Sequence, residues 1–392
     1  MSGAPHVLCV NSGSTSLKLA VFRFAAGGEE RLLDAEVSGI GDAGGSLRVR
    51  RPALAEERTQ CRFAGHGAAL TALLTLLERN GLPAPDAIGH RLVHGGPAHR
   101  TPERITPTLL RELEAVIPLA PLHLPPALEA IRACSAHFPE QPQAACFDTG
   151  FHRDLPQRAQ RLPLPESLWD EGVRRYGFHG LSYEYVLEAL DAKAAGRLII
   201  AHLGGGASLA AVRDGRPLDT TMGFTPLGGI MMGTRSGDLD PGVLVYLLRR
   251  GYDVARVERL VEREAGLLGV SGRSAELATL LTYRDTDPRA ALAIDLFAYQ
   301  VRKQIGAFAA VLGGLDRLVF TGGIGEHAAP VRAAACDGLD YLGVRLDPKR
   351  NAAGAECISV DGAGCEVLVV ATDEDRMIAR HTRAVAFGAG DS

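Results

Sequence analysis

The sequence predicts an α/β protein built from two duplicated domains. The chain has 392 residues, more than one hydrophobic core usually serves. Strand-like and helix-like segments alternate along it, which is typical of α/β folds. A strand, a Gly/Ser-rich turn and a second strand occur twice, at His6–Phe22 and at Leu198–Val212. We interpret this repeat as an internal duplication whose two hairpin tips face a shared cleft; the alternative is a chance match of two short Gly-rich hairpins.

Further elements are predicted from apolar runs and from helical periodicity. The predicted strands are Asp86–Gly89, Gln143–Phe147, Arg317–Phe320 and Val367–Ala371. The predicted helices are Gly67–Arg79, Pro126–His137, Gly242–Arg250, Val254–Ala265, Ala290–Leu312 and Asp373–Ala386. We expect a domain junction near Asp148–Gly150 and a last helix that returns to the first domain. The expected domains are therefore 1–149 plus 376–392, and 150–375.

Composition and charge narrow the class of protein. The hydrophobic fraction of 46% and the charged fraction of 22% suit packed globular cores. A net charge of -4 and a pI near 6.3 give no overall electrostatic attraction to nucleic acid or to an anionic membrane, so neither is an expected partner. No apolar run approaches the roughly 18 residues that span a bilayer, and the N-terminus does not resemble a signal peptide.

The cysteines indicate a reducing compartment. The chain has seven of them, an odd number, and they are scattered and form no C-x-x-C pair. This pattern argues against a disulfide framework or a zinc site. Most lie in apolar runs, where a thiol behaves as a small core residue, so we expect a cytoplasmic protein.

Three Gly-rich turns directly follow predicted strands, at Asn11–Ser16, His202–Ser208 and Thr321–Glu326. Exposed backbone N–H groups in such turns can bind phosphate. One Gly-rich turn alone is more often only a turn, but three in one chain favour phosphate binding. None matches the P-loop pattern, and the protein-kinase set of an H-R-D motif followed by a D-F-G motif does not occur, because the sequence contains no D-F-G. A different nucleotide-binding architecture is therefore expected.

Three cationic side chains lie near Gly-rich segments. Lys18 follows the first turn, where it could reach phosphate oxygens or simply point outward from a strand. Arg91 and Arg235 are flanked by glycines, and an arginine in such a loop can present its planar fork to a carboxylate or phosphoryl group. The alternative for both arginines is a surface salt bridge.

Acidic and histidine candidates complete the set. Asp148 ends an apolar strand, a common place for metal binding or proton transfer; a turn cap is the alternative. His179 is crowded by aromatic residues and glycines, which is unusual for a structural histidine. The acidic run Asp373–Asp375 begins the last helix, where it would cap the helix and complement its dipole.

Together these segments resemble the acetate kinase family over nearly the whole chain, from Val7 to about Ala386. The matching blocks are Val10–Lys18, Gly89–Gly96, Arg174–Gly180, Met222–Leu227, Met232–Arg235 and Phe320–Glu326. The resemblance implies two duplicated ribonuclease-H-like (actin-like ATPase) domains around a nucleotide cleft. It also implies reversible, Mg²⁺-dependent, in-line transfer of the ATP γ-phosphoryl group to acetate, giving acetyl phosphate and ADP, with Mn²⁺ as the alternative ion.

The resemblance also implies roles for individual residues. The implied metal ligands are Asn11 and Glu374, and the implied catalytic residues are Asp148, His179 and Arg235. The implied acceptor site has Arg91 on the carboxylate and an apolar wall of Val93, Leu122, Phe178 and Pro226. The implied nucleotide contacts are Lys18, His202, Leu203, Gly204, Gly205, Gly206, Glu276, Leu277, Ala278, Gly323, Ile324, Gly325, Glu326 and His327. Because acetate is already ionised at neutral pH, Asp148 is expected to position it rather than deprotonate it.

Several positions depart from the family pattern. Gly205 and His327 stand where the family usually has Asn, and Glu276 with Ala278 replaces its Asp-x-Arg. Leu124 and Gly228 also differ, replacing an Asn and an acid. Most changes lie on the nucleotide side, so they bear on nucleotide preference and leave the phosphoryl-transfer set intact.

Three alternatives remain open from the sequence. A propionate or butyrate kinase would share every catalytic residue. A non-kinase actin-like ATPase or nucleotide-binding regulator would keep the phosphate turns without needing Arg91 or an acyl pocket, and a hydrolase would place water where acetate binds. The family resemblance further implies a homodimer and domain closure.

Overall fold

The computed structural model describes residues 4–13, 15–41, 44–191 and 195–388. Ser14, in the first predicted Gly-rich turn, lies outside them. The strands are β1 (His6–Ser12), β2 (Ser16–Ala25), β3 (Gly28–Ser38), β4 (Gly45–Arg50), β5 (Glu57–Cys61), β6 (Ala87–Leu92), β7 (Glu103–Arg104), β8 (Gln143–Phe147), β9 (Arg197–Leu203), β10 (Ala207–Arg213), β11 (Arg216–Thr220), β12 (Arg317–Thr321) and β13 (Glu366–Val369). The helices are α1 (His66–Arg79), α2 (Pro107–Ala115), α3 (Leu124–His137), α4 (Gln157–Gln160), α5 (Glu166–Asp170), α6 (Gly180–Leu190), α7 (Pro241–Arg249), α8 (Val254–Arg259), α9 (Gly266–Ser271), α10 (Leu277–Thr282), α11 (Pro288–Leu312), α12 (Gly322–His327), α13 (Ala329–Cys336), α14 (Pro348–Ala353) and α15 (Glu374–Phe387).

The chain forms two compact units, and each has its own sheet. Unit 1 comprises residues 1–150 and 373–392, and unit 2 comprises residues 151–372. Each unit is a mixed α/β structure around one sheet. In the described ranges, no helix is long and apolar enough to cross a membrane.

The sheet of unit 1 has the strand order β5-β4-β3-β2-β1-β6-β8-β7. Strands β1, β2 and β3 pair antiparallel, whereas β1, β6 and β8 pair parallel. β1 is buried from Val7 to Ser12, which explains its nearly continuous apolar sequence. Helices α1 and α3 contribute Leu70, Leu73 and Cys134 to the core cluster on this sheet.

Helix α15 packs against β1, β6 and β8 of the same sheet. A glycine in β6 permits this close approach, because a Cβ built at Gly89 would lie 2.0 Å from Thr382 Oγ1 and 2.6 Å from Ile378 Cγ2. The chain therefore returns to unit 1 for its last helix, and Gly89 in the Gly89–Gly96 block serves helix packing.

The sheet of unit 2 repeats the central order of unit 1. Its strands run β11-β10-β9-β12-β13. β9, β10 and β11 pair antiparallel, whereas β9, β12 and β13 pair parallel. This matches β3-β2-β1-β6-β8 in both order and direction, so the predicted duplication is visible in the topology. Helix α6 packs Tyr183 and Val186 on this sheet, and α11 contacts β9 and β10.

Most predicted elements form, with differences at their ends. The strand Gln143–Phe147 is confirmed at the predicted residues. The predicted helix Val254–Ala265 instead ends at Arg259 and continues as a π-helical turn, Leu260–Glu264. The predicted turn Thr321–Glu326 is wrong, because the chain enters α12 directly after β12. The strands β3 to β5 and the helix α6 are not predicted by the sequence.

Candidate active site

Four polar side chains meet at the strand ends of unit 1. Asp148 directly follows β8, is 1% exposed, and its backbone N–H donates to Leu92 O. Arg91 donates from Nε to Asp148 Oδ1 at 2.9 Å and from Nη2 to Asp148 Oδ2 at 2.6 Å. Its Nη1 donates to Asn11 Oδ1 at 3.0 Å. Glu374, at the start of α15, places Oε2 3.8 Å from Arg91 Nε and 3.5 Å from Asn11 Nδ2.

The charge of Arg91 is strongly favoured in this cluster. Burial opposes the charged form, but the Asp148 and Glu374 carboxylates outweigh it and raise the pKa of the Arg91 guanidinium above its ordinary value. Three of its five N–H groups suffice for the bonds to Asp148 and Asn11, so two remain to bind a further oxygen ligand. The arginine is thus both fixed and still able to donate.

Asp375 follows Glu374 in the first turn of α15. Its Oδ1 atom is buried and lacks a hydrogen-bond partner among the described residues. Burial raises the pKa of Asp375 to about 6, although Arg31 and Lys18 oppose the shift. Arg31 is itself engaged by Asp34 and Asp373. The sequence indicated Asp373 and Asp375 only as helix caps, and Asp373 does cap α15 by accepting from Arg376 N at 3.1 Å.

Lys18 is an exposed strand residue that pairs with Asn11 across the first hairpin. Its Nζ lies 3.8 Å from Glu36 Oε1 on β3. A surface pair at this distance contributes little to stability, so it leaves the ammonium able to rearrange.

The second group of candidates lies in unit 2, around the turn Gly204–Gly206 between β9 and β10. His179 and His202 stack there with ring centroids 4.3 Å apart and an interplanar angle of 21°. His179 Nδ1 is 2.7 Å from Ser208 Oγ, and His202 Nδ1 is 2.8 Å from Ser182 Oγ. A Cβ built at Gly206 would lie 3.1 Å from His179 Nε2 and 3.7 Å from Arg235 Nη1. The turn therefore passes between a histidine and an arginine.

The backbone of His179 is in the left-handed region, with φ 59°, at the N-cap of α6. A non-glycine residue there costs roughly 1–3 kcal/mol, and such strain is concentrated at functional sites. His152 holds the adjoining segment, since its Nε2 donates to Phe178 O at 3.0 Å. Gly177, with φ 75°, is also required, because a Cβ there would lie 2.5 Å from the His152 ring.

Arg235 is held by the loop that precedes α7. Its Nη1 donates to Pro226 O at 3.1 Å and lies 3.7 Å from Met232 Sδ. The two blocks Met222–Leu227 and Met232–Arg235 therefore meet at this guanidinium. This contact places Pro226 beside Arg235 within unit 2.

The third Gly-rich segment is the N-terminus of α12. Gly322 has φ 76°, and a Cβ there would lie 2.8 Å from Leu203 O, so the start of α12 packs closely against the end of β9. Glu326 accepts from Gly322 N at 3.0 Å and from Thr372 N at 3.2 Å. Its carboxylate is thus engaged with the protein's own backbone, while Gly323 and His327 are exposed.

The comparison with known protein families decides the family. A family model described as the acetokinase family matches residues 6–380. The chain belongs to the acetokinase family. The acetate kinase of Rhodopseudomonas palustris (strain ATCC BAA-98 / CGA009) is 44% identical, covering 97% of this chain and 98% of that protein.

Solved structures agree with this family. The Porphyromonas gingivalis acetate kinase is similar with TM-score 0.85 and 37% identity, covering 97% of this chain and 100% of that chain. A propionate kinase from Francisella tularensis is similar with TM-score 0.90 and 33% identity, covering 97% of this chain and 100% of that chain. The two-domain α/β class expected from the sequence is therefore confirmed for this acetokinase-family protein.

The remaining predicted site residues of this acetokinase-family protein differ in their exposure to solvent. Val93 is buried and Leu122 half-buried in unit 1, whereas in unit 2 Phe178 is buried and Pro226 half-buried. Glu276 is the exposed N-cap of α10, Leu277 is buried and Ala278 is exposed. Nothing lies within 4 Å of a Cβ built at Gly205, so the residue that departs from the family pattern there borders open space.

The cluster of Asn11, Arg91, Asp148 and Glu374 contains side-chain oxygens of the kind that bind a divalent cation. It offers the amide oxygen of Asn11 and carboxylate oxygens, which are the kinds of ligand that Mg²⁺ prefers. It contains two carboxylates, of Asp148 and Glu374, and only one guanidinium, so its net charge is negative. In the part of the chain that the structure describes, no three His, Cys, Asp or Glu side chains are arranged to hold a metal by themselves. A cation there must complete its shell with water and phosphate oxygens, as Mg²⁺ commonly does.

Sequence reasoning missed the residues that orient the histidines of this acetokinase-family protein. Ser182, Tyr183 and Thr372 carry no motif of their own, and Ser208 was noted only as part of a turn. Their hydroxyls become functional candidates only when the fold brings them beside the imidazoles. A buried hydroxyl gives no signal in one sequence, so no pattern could have identified them.

Proposed function

We propose that this protein is an acetate kinase, a phosphotransferase with a carboxyl group as acceptor. It transfers the γ-phosphoryl group of ATP to acetate, reversibly and directly, giving acetyl phosphate and ADP. The observation that carries the proposal is Arg91, which is fixed by Asp148 and Asn11 and keeps two N–H groups for an acceptor carboxylate. The acetate kinase relative with 44% identity over 97% of the chain supports it.

We assign the acceptor to unit 1. Arg91 would bind the acetate carboxylate through its remaining N–H groups, since a guanidinium matches the planar geometry of a carboxylate. Asp148 would orient Arg91 and the acceptor rather than act as a strong base, because acetate is already ionised near pH 7. Val93, Leu122, Phe178 and Pro226 remain the predicted wall for the methyl group.

We assign the phosphoryl donor to unit 2. The phosphates of ATP would lie along the turn Gly204–Gly206 and the N-terminus of α12, where backbone N–H groups can donate. His179 and Arg235 would donate to the transferring phosphoryl group, whose loose transition state needs positive charge and hydrogen-bond donors on its equatorial oxygens. Lys18 of unit 1 remains a predicted ATP contact.

Asn11 and Glu374 would hold Mg²⁺. When bound, the ion would neutralise charge on the phosphate oxygens of the nucleotide. The amide oxygen of Asn11 and the carboxylate of Glu374 are suitable oxygen donors for this purpose. Calorimetric titration of Mg²⁺–ADP would test the assignment: Glu374→Gln should weaken binding at least tenfold, and unchanged binding would remove Glu374 from the metal site.

The decisive experiment traps acyl phosphate as hydroxamate in the presence of ATP and Mg²⁺, with acetate, propionate and butyrate as acceptors. We expect acyl phosphate to form, with a higher kcat/KM for acetate than for propionate or butyrate. No product from any acid would reject the kinase assignment. ATP turnover that does not depend on any acid would identify a hydrolase instead.

A propionate kinase is the second candidate. The specific observation in its favour is the similarity to the Francisella tularensis propionate kinase, with a TM-score of 0.90. One methylene changes binding in an apolar pocket by only about 1–3 kcal/mol, so propionate should be a substrate even if acetate is preferred. A higher kcat/KM for propionate than for acetate would replace acetate in the assignment.

We also propose that the protein is a homodimer that associates through α7. None of the described side chains of this helix is buried, and Val243, Val245, Tyr246 and Leu248 are exposed large apolar residues. An apolar patch on a soluble protein marks an interaction surface, and a second copy can present the same patch about a two-fold axis. In sedimentation experiments the wild-type protein should be a dimer, and the Val245→Glu variant should be a monomer. A monomeric wild-type protein would reject the proposal.

A cytoplasmic location is proposed from the thiols. None of the seven cysteines forms a disulfide, and five of them are buried. Free thiols of this number are typical of a reducing compartment. Cell fractionation with a cytoplasmic marker enzyme would test the location, and recovery in a membrane or exported fraction would contradict it.

A further inference from the structure

We infer that two separate hydroxyl relays set the tautomers of His179 and His202, so that both rings present an Nε2–H donor to the turn Gly204–Gly206. One relay comprises Tyr183 and Ser208, and the other comprises Thr372 and Ser182. The inference deepens the proposed function and rests on it, because that turn is assigned to the phosphates. It makes the four hydroxyl residues positioning residues for phosphoryl transfer.

The first relay begins at a buried phenol. Tyr183 is 0% exposed, and its hydroxyl lies 2.5 Å from Ser208 Oγ, which in turn lies 2.7 Å from His179 Nδ1. Burial also raises the pKa of Tyr183 above its ordinary value, so the phenol keeps its proton. Among the described residues, Ser208 Oγ is the acceptor available to that proton.

The direction of the first relay follows from its proton count. If Tyr183 donates to Ser208, the single hydrogen of Ser208 is directed to His179 Nδ1. A neutral imidazole whose Nδ1 accepts must carry its proton on Nε2. In the reverse direction the phenol hydrogen would be buried without an acceptor, an arrangement that native proteins largely avoid.

The second relay repeats this chemistry with different residues. Thr372 Oγ1 donates to Ser182 Oγ at 2.9 Å, and Ser182 Oγ is 2.8 Å from His202 Nδ1. Ser182 is fully buried, so its remaining hydrogen is directed to His202 Nδ1. The proton of neutral His202 is therefore also on Nε2.

Both Nε2 atoms face the same turn. The built Cβ of Gly206 lies 3.1 Å from His179 Nε2, and that of Gly204 lies 3.7 Å from His202 Nε2. The rings are stacked, with centroids 4.3 Å apart, so both lie beside the backbone of this one turn. Neutral rings that donate from a fixed nitrogen stabilise phosphoryl oxygens without placing two cations in contact, and preorganised donors need no rearrangement during transfer.

The tautomers can be measured directly. We would record nitrogen spectra of the full-length protein labelled with ¹⁵N-histidine, at a pH high enough for neutral rings, and assign the two residues with His179→Gln and His202→Gln. The expected result is a protonated Nε2 and an unprotonated Nδ1 for both rings. A proton on Nδ1 of either ring in the wild-type protein would overturn its relay.

Variants then test whether the hydroxyls set the tautomers. In Tyr183→Phe, Ser208 is released to accept from the ring, so an Nδ1–H population of His179 should appear while His202 is unchanged. In Thr372→Val the same change should appear at His202 alone. Spectra identical to wild type in both variants would show that the relays do not control the rings.

Kinetics separate positioning from a merely structural role. Ser208→Ala and Ser182→Ala should lower kcat roughly 10- to 100-fold, the range typical of residues that orient a functional side chain, with the KM for the acid changed less than twofold. Ser359→Ala is the matched control, since Ser359 is also buried in unit 2 but its hydroxyl accepts from Val367 N and contacts Cys357 rather than a histidine. Full turnover in both relay variants, or an equal loss in Ser359→Ala, would overturn the inference.

The spectra need no substrate, so the two proposals fail separately. Absence of acyl phosphate from the wild-type enzyme would reject the proposed function and leave the tautomers as measured. Circular dichroism and thermal unfolding of each variant establish that it is folded before its kinetics are compared.

Discussion

Arg91 binds both oxygens of Asp148, from Nε at 2.9 Å and from Nη2 at 2.6 Å, and this pair joins two neighbouring parallel strands, β6 and β8. The side-on geometry fixes the guanidinium plane. Nη1 also donates to Asn11 Oδ1, so one N–H group on each of Nη1 and Nη2 is left for a second carboxylate.

Arg91→Lys should impair use of the acceptor. An ammonium cannot make the two parallel bonds to Asp148 and still present a planar fork. Losing one charge-assisted bond costs about 1.5–3 kcal/mol, so we expect the KM for acetate to rise roughly 10- to 100-fold. Steady-state kinetics at varied acetate would measure the KM, with Arg104→Lys as control, because Arg104 is an exposed residue of β7. An unchanged KM would remove Arg91 from the acceptor site.

Asp148→Asn should mainly lower turnover. The amide is nearly isosteric but neutral, so Arg91 loses its ionic partner and its orientation. We expect kcat to fall about 100-fold or more, comparable with the loss of a positioned catalytic carboxylate. Urea unfolding should be measured alongside, because a weakened buried pair also lowers stability. A variant with wild-type kcat would refute the catalytic assignment of Asp148.

Gly206→Ala and Gly205→Ala form a matched pair in one turn. A methyl group at 206 would crowd His179 Nε2 at 3.1 Å, whereas nothing lies within 4 Å of a methyl group at 205. We therefore expect Gly206→Ala to lower kcat at least tenfold and Gly205→Ala to have a clearly smaller effect. Initial rates at saturating ATP and acetate would compare them, and equal effects would mean that the space beside His179 is not used.

Low pH should destabilise both units through buried histidines. Burial lowers the pKa of His90 and of His152 from about 6.5 to about 4. Between these values the unfolded chain binds more protons than the folded one, so the free energy of unfolding falls as pH falls from 6.5 towards 4. At 1.36 kcal/mol per pH unit, each histidine accounts for up to about 3 kcal/mol.

Urea midpoints at pH 7 and pH 5 would measure this dependence. His90→Gln should flatten it for unit 1, whereas His137→Gln, which changes an exposed histidine of the same unit, should keep the wild-type dependence. An identical pH dependence in all three proteins would contradict the role of His90.

The thiols should differ sharply in reactivity. Burial raises the pKa of Cys134 and of Cys365 to about 12, and Cys9 and Cys336 are shifted in the same direction. Only thiolates react readily, so alkylation of the native protein at neutral pH should modify Cys61 and Cys357, which are partly exposed, before the other five. Peptide mapping would identify the labelled sites, and early labelling of Cys9 would contradict the packing of β1.

The sequence could predict elements whose signal is local. Gln143–Phe147 is a short apolar run bounded by polar residues, and it forms β8 at those residues. The strand register of the first hairpin could not be predicted from the sequence. Ser16 and Ser208 look equivalent in the sequence, but Ser208 pairs with His202, whereas Ser16 lies beyond the last β1–β2 pair, Ser12 with Leu17. The two turns differ in length, which only pairing reveals.

The residues of the candidate site also fall into a group that the sequence predicted and a group that it did not. Asn11, Arg91, Asp148 and Glu374 were predicted from the family resemblance and do meet in unit 1, where β1, β6 and β8 end at one edge of the sheet and α15 begins. Asp375 and the hydroxyls beside the histidines were not predicted as functional. Asp375 stands out because its buried Oδ1 has no hydrogen-bond partner among the described residues, and the hydroxyls stand out because they contact the imidazoles. Both properties arise only from packing between segments distant in sequence.

Helix α15 has a consequence for the order in which the chain can fold during synthesis. Unit 1 begins with β1, yet Gly89 and its neighbours in β6 stay uncovered until Ile378 and Thr382 of α15 are made. Unit 2 is continuous, so its residues are all available before unit 1 is complete. Glu374 lies on the same helix, so a nascent chain cannot complete the cluster of Asn11, Arg91, Asp148 and Glu374 until all of unit 2 has been made.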